Sequence, residues 1–399
     1  MAVNDFTPQD AYTLINAVAK QATGRENLTA TDTSSFVSVG ETLLRTGVEN
    51  TLKALSTVFA YTYFSNEKYT GKLAAVEQTS GQWGAITREI TALTQDAEAS
   101  QDWNTDLNPK QLDDGNSVDM YKINKPKVLE LKFYGTKVLQ RHITRFRDQI
   151  AQAFTSEAEF MRFYEAVMIE FRNDIETDRE SGRRATMLNY MAGLSSMGKE
   201  VDLTAEFNTK NGTKYTRNQL LTTYKKDFMA FAIARIKLDS EKLTERSAKY
   251  HANITGYNPI MRFTRKENQR LLMLSEFWID STTQVLPWVF DDKELRIENK
   301  ELVNWWQSAD KPSAIQITPS ILDVSTGNAK QAETEVNLPY VLGVLYDRRA
   351  MGVQYQFDYA DTTPFNSAGG YWNMYVHSRK NYWNNYTHNG ILYVMGEGK

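Results

Sequence analysis

The end of the chain constrains the fold most, because residues 338–394 are rich in aromatic side chains. Residues 338–353 read as a strand that enters a short turn, and residues 358–370 read as a loop. A long aromatic run follows over residues 371–383, and the dipeptide Asn389-Gly390 is a turn signal before a last apolar strand. The sequence therefore predicts an ending built from successive strands.

Composition limits the classes of protein that this chain can belong to. With 399 residues and 41% hydrophobic side chains, it can bury the core of one large domain or two interleaved domains. The formal net charge of −3 gives no basic face for reading nucleic acid or binding a membrane surface. The absence of cysteine excludes disulfides, thiolate metal sites and cysteine nucleophiles, and it fits synthesis in a reducing cytoplasm. Neither a signal peptide nor a membrane span is expected.

The first part of the chain predicts an arm followed by a long hairpin. Residues 1–35 are polar and carry one short helix signal over residues 8–22, and helical spacing resumes over residues 38–60. Two β-like runs, 82–93 and 127–143, then flank a long polar span. A two-stranded hairpin is marginally stable alone in water, so this one needs a surface to lie on. That requirement points to a partner subunit.

Helix signals dominate the middle of the chain. Ser156 and Glu159 have capping-box spacing, and the helical pattern behind them runs over residues 156–194. A helix of about 38 residues would be roughly 57 Å long, and its apolar positions do not sustain a heptad, so it fits the backbone of a flat domain. Thr216 and Gln219 form a second capping-box pattern before a helix that carries apolar residues as far as Leu238. An apolar strand over residues 270–275, a short helix, and short strands and loops over residues 290–370 follow.

The residues that could carry chemistry do not form a recognisable site. The four histidines are spaced unlike metal ligands, and no cysteine can complete a site with them; they are His142, His251, His377 and His388. Residues 113–119 are acidic but lack the register and the closing glutamate of a calcium loop, so they read as a hairpin tip. We therefore predict no catalytic residue, no metal ligand and no cofactor.

Two groups of side chains leave alternatives open. The aromatic run from Tyr371 to Tyr386 fits a half-buried strand that serves core and interface, and the alternative is a platform for stacking sugars. The long helix and the residues before it alternate arginines with glutamates, which suits ion pairs between subunits. These arginines are Arg141, Arg145, Arg147, Arg162, Arg172, Arg179, Arg183 and Arg184, and the glutamates are Glu157, Glu159, Glu165, Glu170, Glu176 and Glu180. Over residues 176–184 the simplest interpretation is a solvated or interface helix face, and the alternative is contact of the arginines with DNA phosphates.

The order of these elements resembles the major capsid proteins of tailed bacteriophages. The match at the level of motifs is carried by the Leu-Leu-Met-Leu-Ser strand and helix of residues 270–281 and by the ending of residues 338–394. The resemblance implies an α+β fold of the Hong Kong type, with an N-terminal arm, an extended β-hairpin loop, a long spine helix, and peripheral and axial domains. In this chain the arm would be residues 1–60 and the extended loop 61–143. The remaining assignments are a peripheral domain of residues 144–214 and 371–399 with the spine helix 156–194, and an axial domain of residues 215–370.

The resemblance also implies a function without catalysis. The chain would self-assemble into hexamers and pentamers of an icosahedral shell in the virion, formed in the cytoplasm of the bacterial host. Its partners would be copies of itself, portal and scaffolding proteins, and packaged double-stranded DNA that it encloses without reading the sequence. Two alternatives stay open from the sequence: an encapsulin-type nanocompartment, and a carbohydrate-binding or carbohydrate-active protein.

Overall fold

Contacts in the computed structural model group into two compact units. The first unit comprises the described residues within Met1–Ala85, Gly135–Arg183 and Val353–Tyr382, and the second those within Ile86–Tyr134, Arg184–Gly352 and Trp383–Lys399. The structure describes residues 8–23, 28–46, 72–78, 87–95, 120–121, 123–125, 127–133, 135–146, 157–284 and 300–398. Among these residues, no helix has the length and apolar character needed to cross a membrane.

Two helices open the first unit. Helix α1, Pro8–Thr23, confirms the helix predicted over residues 8–22, and helix α2 spans Thr33–Thr46. Helix α2 starts before the predicted residue 38, because Asp32 and Ser35 cap it: the Ser35 amide donates to Asp32 Oδ1 at 2.7 Å and the Asp32 amide to Ser35 Oγ at 2.9 Å. The predicted continuation over residues 47–60 lies outside the described residues.

The predicted hairpin is confirmed, with one correction. Strand β1, Thr87–Ala92, pairs antiparallel with strand β2, Val128–Phe133. The run predicted over residues 127–143 is not a single arm, because strand β3, Gly135–Phe146, joins a different sheet by pairing with strand β13, Tyr371–Asn384. Alternation shows which face a side chain takes but not which strand lies beside it, so the change of partner left no signal in the sequence. Residues 96–119, with the predicted tip, lie outside the described residues.

A long helix and a three-stranded sheet form the core of the first unit. Helix α3, Glu157–Ser196, confirms the helix predicted over residues 156–194, and its residues from Arg184 onward belong to the second unit. Strand β12, Met351–Thr362, completes the sheet order β12–β13–β3, so the loop predicted over residues 358–370 begins later, after Thr362. The helix buries Phe171 and Ile175 against Met374 and Val376 of β13.

A five-stranded sheet is the core of the second unit. Its order is β4–β14–β11–β5–β6, with β14–β4 and β5–β6 parallel and the other pairs antiparallel. Every residue of β11 and β14 is buried, as expected for central strands covered on both faces. The strands are β4, Glu200–Asp202; β5, Gln269–Leu274; β6, Lys300–Val303; β11, Val341–Asp347; and β14, Gly390–Val394.

Two short helices of the second unit begin at side-chain caps. Asp202 accepts hydrogen bonds from the amides of Thr204 and Ala205 and starts helix α4, Leu203–Asn211. The predicted capping box of Thr216 and Gln219 is present, but helix α5 behind it, Arg217–Leu221, is short. The single helix expected as far as Leu238 is therefore wrong, because the chain turns at residues 222–224 and the Tyr224 ring stacks on Tyr215 with centroids 4.0 Å apart.

The remaining elements of the second unit are short or lie beside the large sheet. Helix α6, Lys225–Lys242, follows the turn, and helix α7, Ser275–Gln284, starts directly after β5, as predicted. Two small antiparallel pairs account for much of the predicted short-strand region. They are β7, Ile315–Ile317, with β10, Val336–Leu338, and β8, Ser320–Leu322, with β9, Ala329–Gln331.

Candidate functional site

The β1–β2 hairpin presents an outer face that is exposed and partly apolar. Ile90 is 68% exposed and Val128 55% exposed, although both are large aliphatic side chains. Ion pairs lie beside them, with Glu130 3.6 Å from Arg88 and 3.3 Å from Lys132. The outer face of the hairpin consists of Arg88, Ile90, Ala92, Val128, Glu130 and Lys132. A surface that combines exposed aliphatic groups with charges is typical of a protein interface.

The chain that leads into β2 adds further exposed apolar side chains. Met120 is 80% exposed, Tyr121 81% and Ile123 79%, the highest values among the large apolar side chains described. Exposed single apolar residues are common on soluble proteins, but here they occur together within one short stretch next to the hairpin. The hairpin region therefore concentrates surface that a partner could bury.

The inner face of the hairpin is held to its own unit by a half-buried carboxylate. Nη2 of Arg262 donates to Glu89 Oε1 at 2.9 Å and also lies 3.0 Å from the Thr91 hydroxyl. Nε2 of His388 lies 2.8 and 3.0 Å from the two oxygens of Glu89, and Nδ2 of Asn385 donates to Oε2. We call these five residues the Glu89 cluster. It joins β1 to segments that are distant in the sequence.

The charge of Glu89 is stabilised by these neighbours. Burial acts to raise the pKa of its carboxyl, but the hydrogen bond and charge of His388, together with the charge and hydrogen bond of Arg262, outweigh burial and lower the pKa from 4.5 to about 2. Glu89 is therefore ionised throughout the neutral and mildly acidic range. Its side chain is 23% exposed, so water screens the cluster only in part.

A second contact lies farther along the same strand direction. Nδ2 of Asn258 donates to the Thr94 carbonyl at 2.8 Å, and the Thr94 hydroxyl donates to the Pro259 carbonyl at 3.1 Å. Because Arg262 contacts Glu89, residues 258–262 run in the opposite direction to residues 89–94 and contact this stretch at both of its ends. We call residues 258–262 the flanking segment.

The flanking segment is itself fixed by buried polar groups. Its Ile260 amide donates to Asn253 Oδ1 at 2.8 Å, and its Ile260 carbonyl lies 2.6 Å from Nε2 of His251. Nδ1 of His251 lies 2.9 Å from Oδ1 of Asn389. Burial lowers the pKa of His251, whereas its hydrogen bonds to Asn389 and Ile260 act in the opposite direction. His251 therefore links the flanking segment to the buried turn of residues 385–389.

The four histidines are all involved in contacts within the chain. His251 and His388 belong to the buried polar groups just described, whereas the His142 ring stacks on Tyr375 and the His377 ring on Tyr359, with centroids 5.5 and 4.8 Å apart. Within the described part of the chain, no group of three or more histidine or acidic side chains could hold a metal ion. The proposition that no residue is catalytic or binds a cofactor stays a prediction.

The aromatic strand β13 divides its side chains between two faces. Trp372 is 2% exposed and packs against Phe365 with ring centroids 4.4 Å apart. On the other face, the rings of Tyr375 and His377 are partly exposed and stack with each other in a row. The first face is core, as one of the two sequence interpretations expected. On the second face, the rings of Tyr375 and His377 stack on each other and are not part of the core.

Four of the arginines in and before the long helix have partners inside their own chain, and the expectation of ion pairs between subunits stays a prediction. Arg141 lies 2.7 Å from Asp174 and 2.6 Å from Asp178. The other three contacts are Arg183 with Glu176, Arg184 with the carbonyls of Trp305 and Trp306, and Arg179 over the ring of Tyr355. A charged helix pattern cannot distinguish these contacts from contacts with a neighbour, because three of the four join the helix to strands or loops that lie at least 33 residues away in the sequence.

Sequence reasoning missed the Glu89 cluster. The main partners of Glu89 are Arg262 and His388, which lie 173 and 299 residues away along the chain, so no local spacing could connect them. The available signal was the alternation of β1, which places Glu89 on the face opposite Arg88 and Ile90. A carboxylate at an inward strand position needs donors around it.

The sequence matches a known family over nearly its whole length. The family described as Phi29-like phage major capsid protein aligns with residues 15–394. No curated protein sequence matches the chain significantly.

Solved structures provide an independent comparison of fold. The chain is similar to a chain in the capsid structure of Staphylococcus phage Andhra, with a TM-score of 0.53 and 10% identity over 83% of this chain and 86% of that one. It is also similar to a chain in the structure of the head fiber and inner core protein gp22 of native bacteriophage P68, with a TM-score of 0.53 and 11% identity over 80% and 83% of the two chains. At such identities the similarity demonstrates a common fold alone. It confirms the predicted mixed α+β class.

Proposed function

The chain belongs to the Phi29-like phage major capsid protein family, and from this premise we propose how its described elements build the shell. The protein is the major capsid protein of a tailed phage, a component of the virion that forms an icosahedral shell, and its family is structural rather than enzymatic. The interpretation as a phage shell, drawn from the sequence, is thereby confirmed. Membership in this family also decides against the encapsulin-type and carbohydrate-related alternatives.

We propose that the chain is organised as the resemblance implies. Residues 1–60 would be the arm, 61–143 the extended loop, 144–214 and 371–399 the peripheral domain, and 215–370 the axial domain. Helix α3 supports the assignment of a spine helix, since it begins and ends close to the expected residues. The β1–β2 hairpin supports the assignment of an extended loop, although β3 pairs with β13 and so limits the free hairpin to residues before Tyr134.

We propose that the outer face of the hairpin and the exposed stretch before β2 are buried against a neighbouring copy. The observation that supports this is the exposure of Ile90, Val128, Met120, Tyr121 and Ile123 in one region of the chain. Burying apolar surface stabilises a contact by roughly 25 cal/mol per Å², so side chains this exposed gain more than those already half-buried.

The shell would be closed by many contacts of this kind. Each copy in a ring touches its neighbours through two different surfaces, and closed symmetry turns individually weak contacts into a stable assembly. We propose hexamers and pentamers as the rings, portal and scaffolding proteins as further partners, and assembly in the host cytoplasm. Packaged double-stranded DNA would be enclosed without sequence reading, consistent with a net charge of −3 rather than a strongly basic chain.

Electron microscopy of the full-length protein and of one double variant tests this proposal. Ile90→Ser with Val128→Ser removes the aliphatic groups of the outer face, and Val324→Ser is the matched control at a 40% exposed site elsewhere. We expect closed shells from the unsubstituted protein and the control, and unassembled subunits with unchanged thermal stability from the double variant. Normal shells from the double variant would contradict the proposed role of this face. Absence of shells from the unsubstituted protein would contradict the proposed self-assembly.

A further inference from the structure

We propose that Glu89 is a positioning residue that fixes the direction of the β1–β2 hairpin within the isolated subunit. This inference rests on the proposed function, since the direction matters for assembly only if the hairpin meets another copy. The inner face of the hairpin consists of Glu89, Thr91, Leu129, Leu131 and Phe133. Glu89 is the charged member of this set, and its contacts reach farther than those of its neighbours.

The direction follows from two points of attachment. Glu89 and Thr94 are separated by about 17 Å along an extended chain, at the usual rise of a strand. A strand held at one point can pivot about it, whereas a strand held at two points cannot. The flanking segment supplies both attachments, through Arg262 at Glu89 and through Asn258 and Pro259 at Thr94. Loss of either contact would weaken the alignment of this strand with the flanking segment.

The attachment at Glu89 requires a carboxylate rather than only its shape. Its two oxygens meet N–H groups of Arg262, His388 and Asn385, and a carboxylate accepts hydrogen bonds through both oxygens. A glutamine side chain of the same size would bring its own NH₂ group against these donors. The substitution would therefore replace hydrogen bonds with opposed donors and leave the guanidinium without its counter-charge.

The groups that hold Glu89 are fixed independently of the hairpin. The backbone of Arg262 exchanges hydrogen bonds with Ser247 at 2.9 and 3.0 Å, and its Nε donates to the Thr387 carbonyl at 3.2 Å. The side chains of Asn385 and His388 are held within a buried turn, at 1% and 2% exposure. The donors are thus positioned before a neighbour arrives, which reduces the ordering cost that binding would otherwise carry.

A distance measurement on dissociated full-length subunits tests this inference. The chain contains no cysteine, so Lys132→Cys on β2, at the end of the hairpin away from Thr94, and Lys330→Cys on β9 can be spin-labelled without background, and both positions are exposed. We expect double electron–electron resonance spectroscopy to give one narrow distribution of the distance between the two spin labels. Glu89→Gln should broaden it to at least about twice that width, as expected for local release of a structural element.

Two further variants keep the test decisive. Glu267→Gln is the matched control, since Glu267 is exposed and its carboxylate pairs with Arg265 at 3.8 Å, so its distribution should equal that of the unsubstituted pair. Arg262→Lys keeps a charge but loses the guanidinium fork, and it should broaden the distribution as Glu89→Gln does. If Glu89→Gln fails to fold, as loss of its near-ultraviolet circular dichroism signal would show, the result for Arg262→Lys decides whether the contact positions the hairpin.

The outcomes separate this inference from the proposed function. An unbroadened distribution in folded Glu89→Gln would overturn the positioning role, whether or not shells form. If the distances behave as expected but labelled Glu267→Gln subunits and unsubstituted protein form no shells, the proposed assembly fails while the role of Glu89 within the subunit stands. Broadening together with fewer closed shells in Glu89→Gln is the result that supports both.

Discussion

The hydroxyl group of Tyr386 lies directly over Gly193 of helix α3, so closely that a methyl group at position 193 would overlap the phenol ring. The same hydroxyl donates toward the carbonyl of Ser320 at 2.9 Å and lies 3.0 Å from the carbonyl of Asn189. Tyr386 is 4% exposed, so its ring has little room to move away. A helical position that would ordinarily favour alanine therefore requires glycine here.

Replacing this glycine provides the first prediction. Gly193→Ala should destabilise the subunit by about 1–3 kcal/mol, because the added methyl group displaces the ring and breaks its hydrogen bonds. The free energy of unfolding from urea titration measures the effect. Ser181→Ala, on an exposed position of the same helix, should leave this free energy within about 0.5 kcal/mol of the unsubstituted value. A more stable Gly193→Ala variant would contradict the close contact.

Trp372 provides a second prediction, from the buried face of β13. Trp372→Ala should cost about 3–5 kcal/mol, because it removes a large side chain that packs against Phe365 in the first unit. Trp372→Phe should cost less, since the indole N–H has no hydrogen-bond partner among the described residues. Thermal unfolding measures both, and Trp305→Ala, at a 37% exposed site, is the control expected to change stability least. Equal losses at Trp372 and Trp305 would show that burial does not set the effect.

Local signals in the sequence predicted elements that depend on neighbouring residues. The capping box at Thr216 and the helical spacing of apolar residues in α3 both depend on residues only a few positions apart. The predicted strand before Ser275 is also followed by a helix, as expected. The helix predicted after Thr216 was too long, because the stacking of Tyr224 on Tyr215 competes with continuation of the helix. The spacing of apolar residues alone does not reveal that contact.

Contacts between distant segments could not be predicted from the sequence. The pairing of β3 with β13 and the contact of Glu89 with His388 join residues that lie more than two hundred positions apart, and the energy that selects them comes from burial and hydrogen bonding in the folded chain. Glu89 is polar at a strand position that the pattern marks as inward, which was the one trace of its role. Its partners could be identified only in three dimensions.

Arg183 provides a third prediction, about a buried ion pair in the first unit. Its guanidinium is 2% exposed, pairs with Glu176, and lies 3.7 Å from Glu77. Arg183→Met should destabilise the subunit by about 3–5 kcal/mol, because it leaves a buried carboxylate without its counter-charge. Adding Glu176→Met should restore part of this loss, as a double-mutant cycle in chemical denaturation would show. Arg141→Met removes more exposed ion pairs and should cost about 1 kcal/mol or less.

The pH dependence of the Glu89 cluster provides the last prediction. The folded pKa of Glu89 is about 2 and its ordinary value is 4.5, so the ionised form stabilises the fold fully above pH 4.5 and this contribution is lost as pH falls toward 2. The shift corresponds to stabilisation on the order of 3 kcal/mol at neutral pH. The difference in unfolding free energy between the unsubstituted protein and Glu89→Gln should therefore shrink as pH falls from 4.5 toward 2. A difference that grows over this range would mean that the cluster prefers a protonated Glu89, and the charged contacts of its carboxylate would then not be what holds the hairpin.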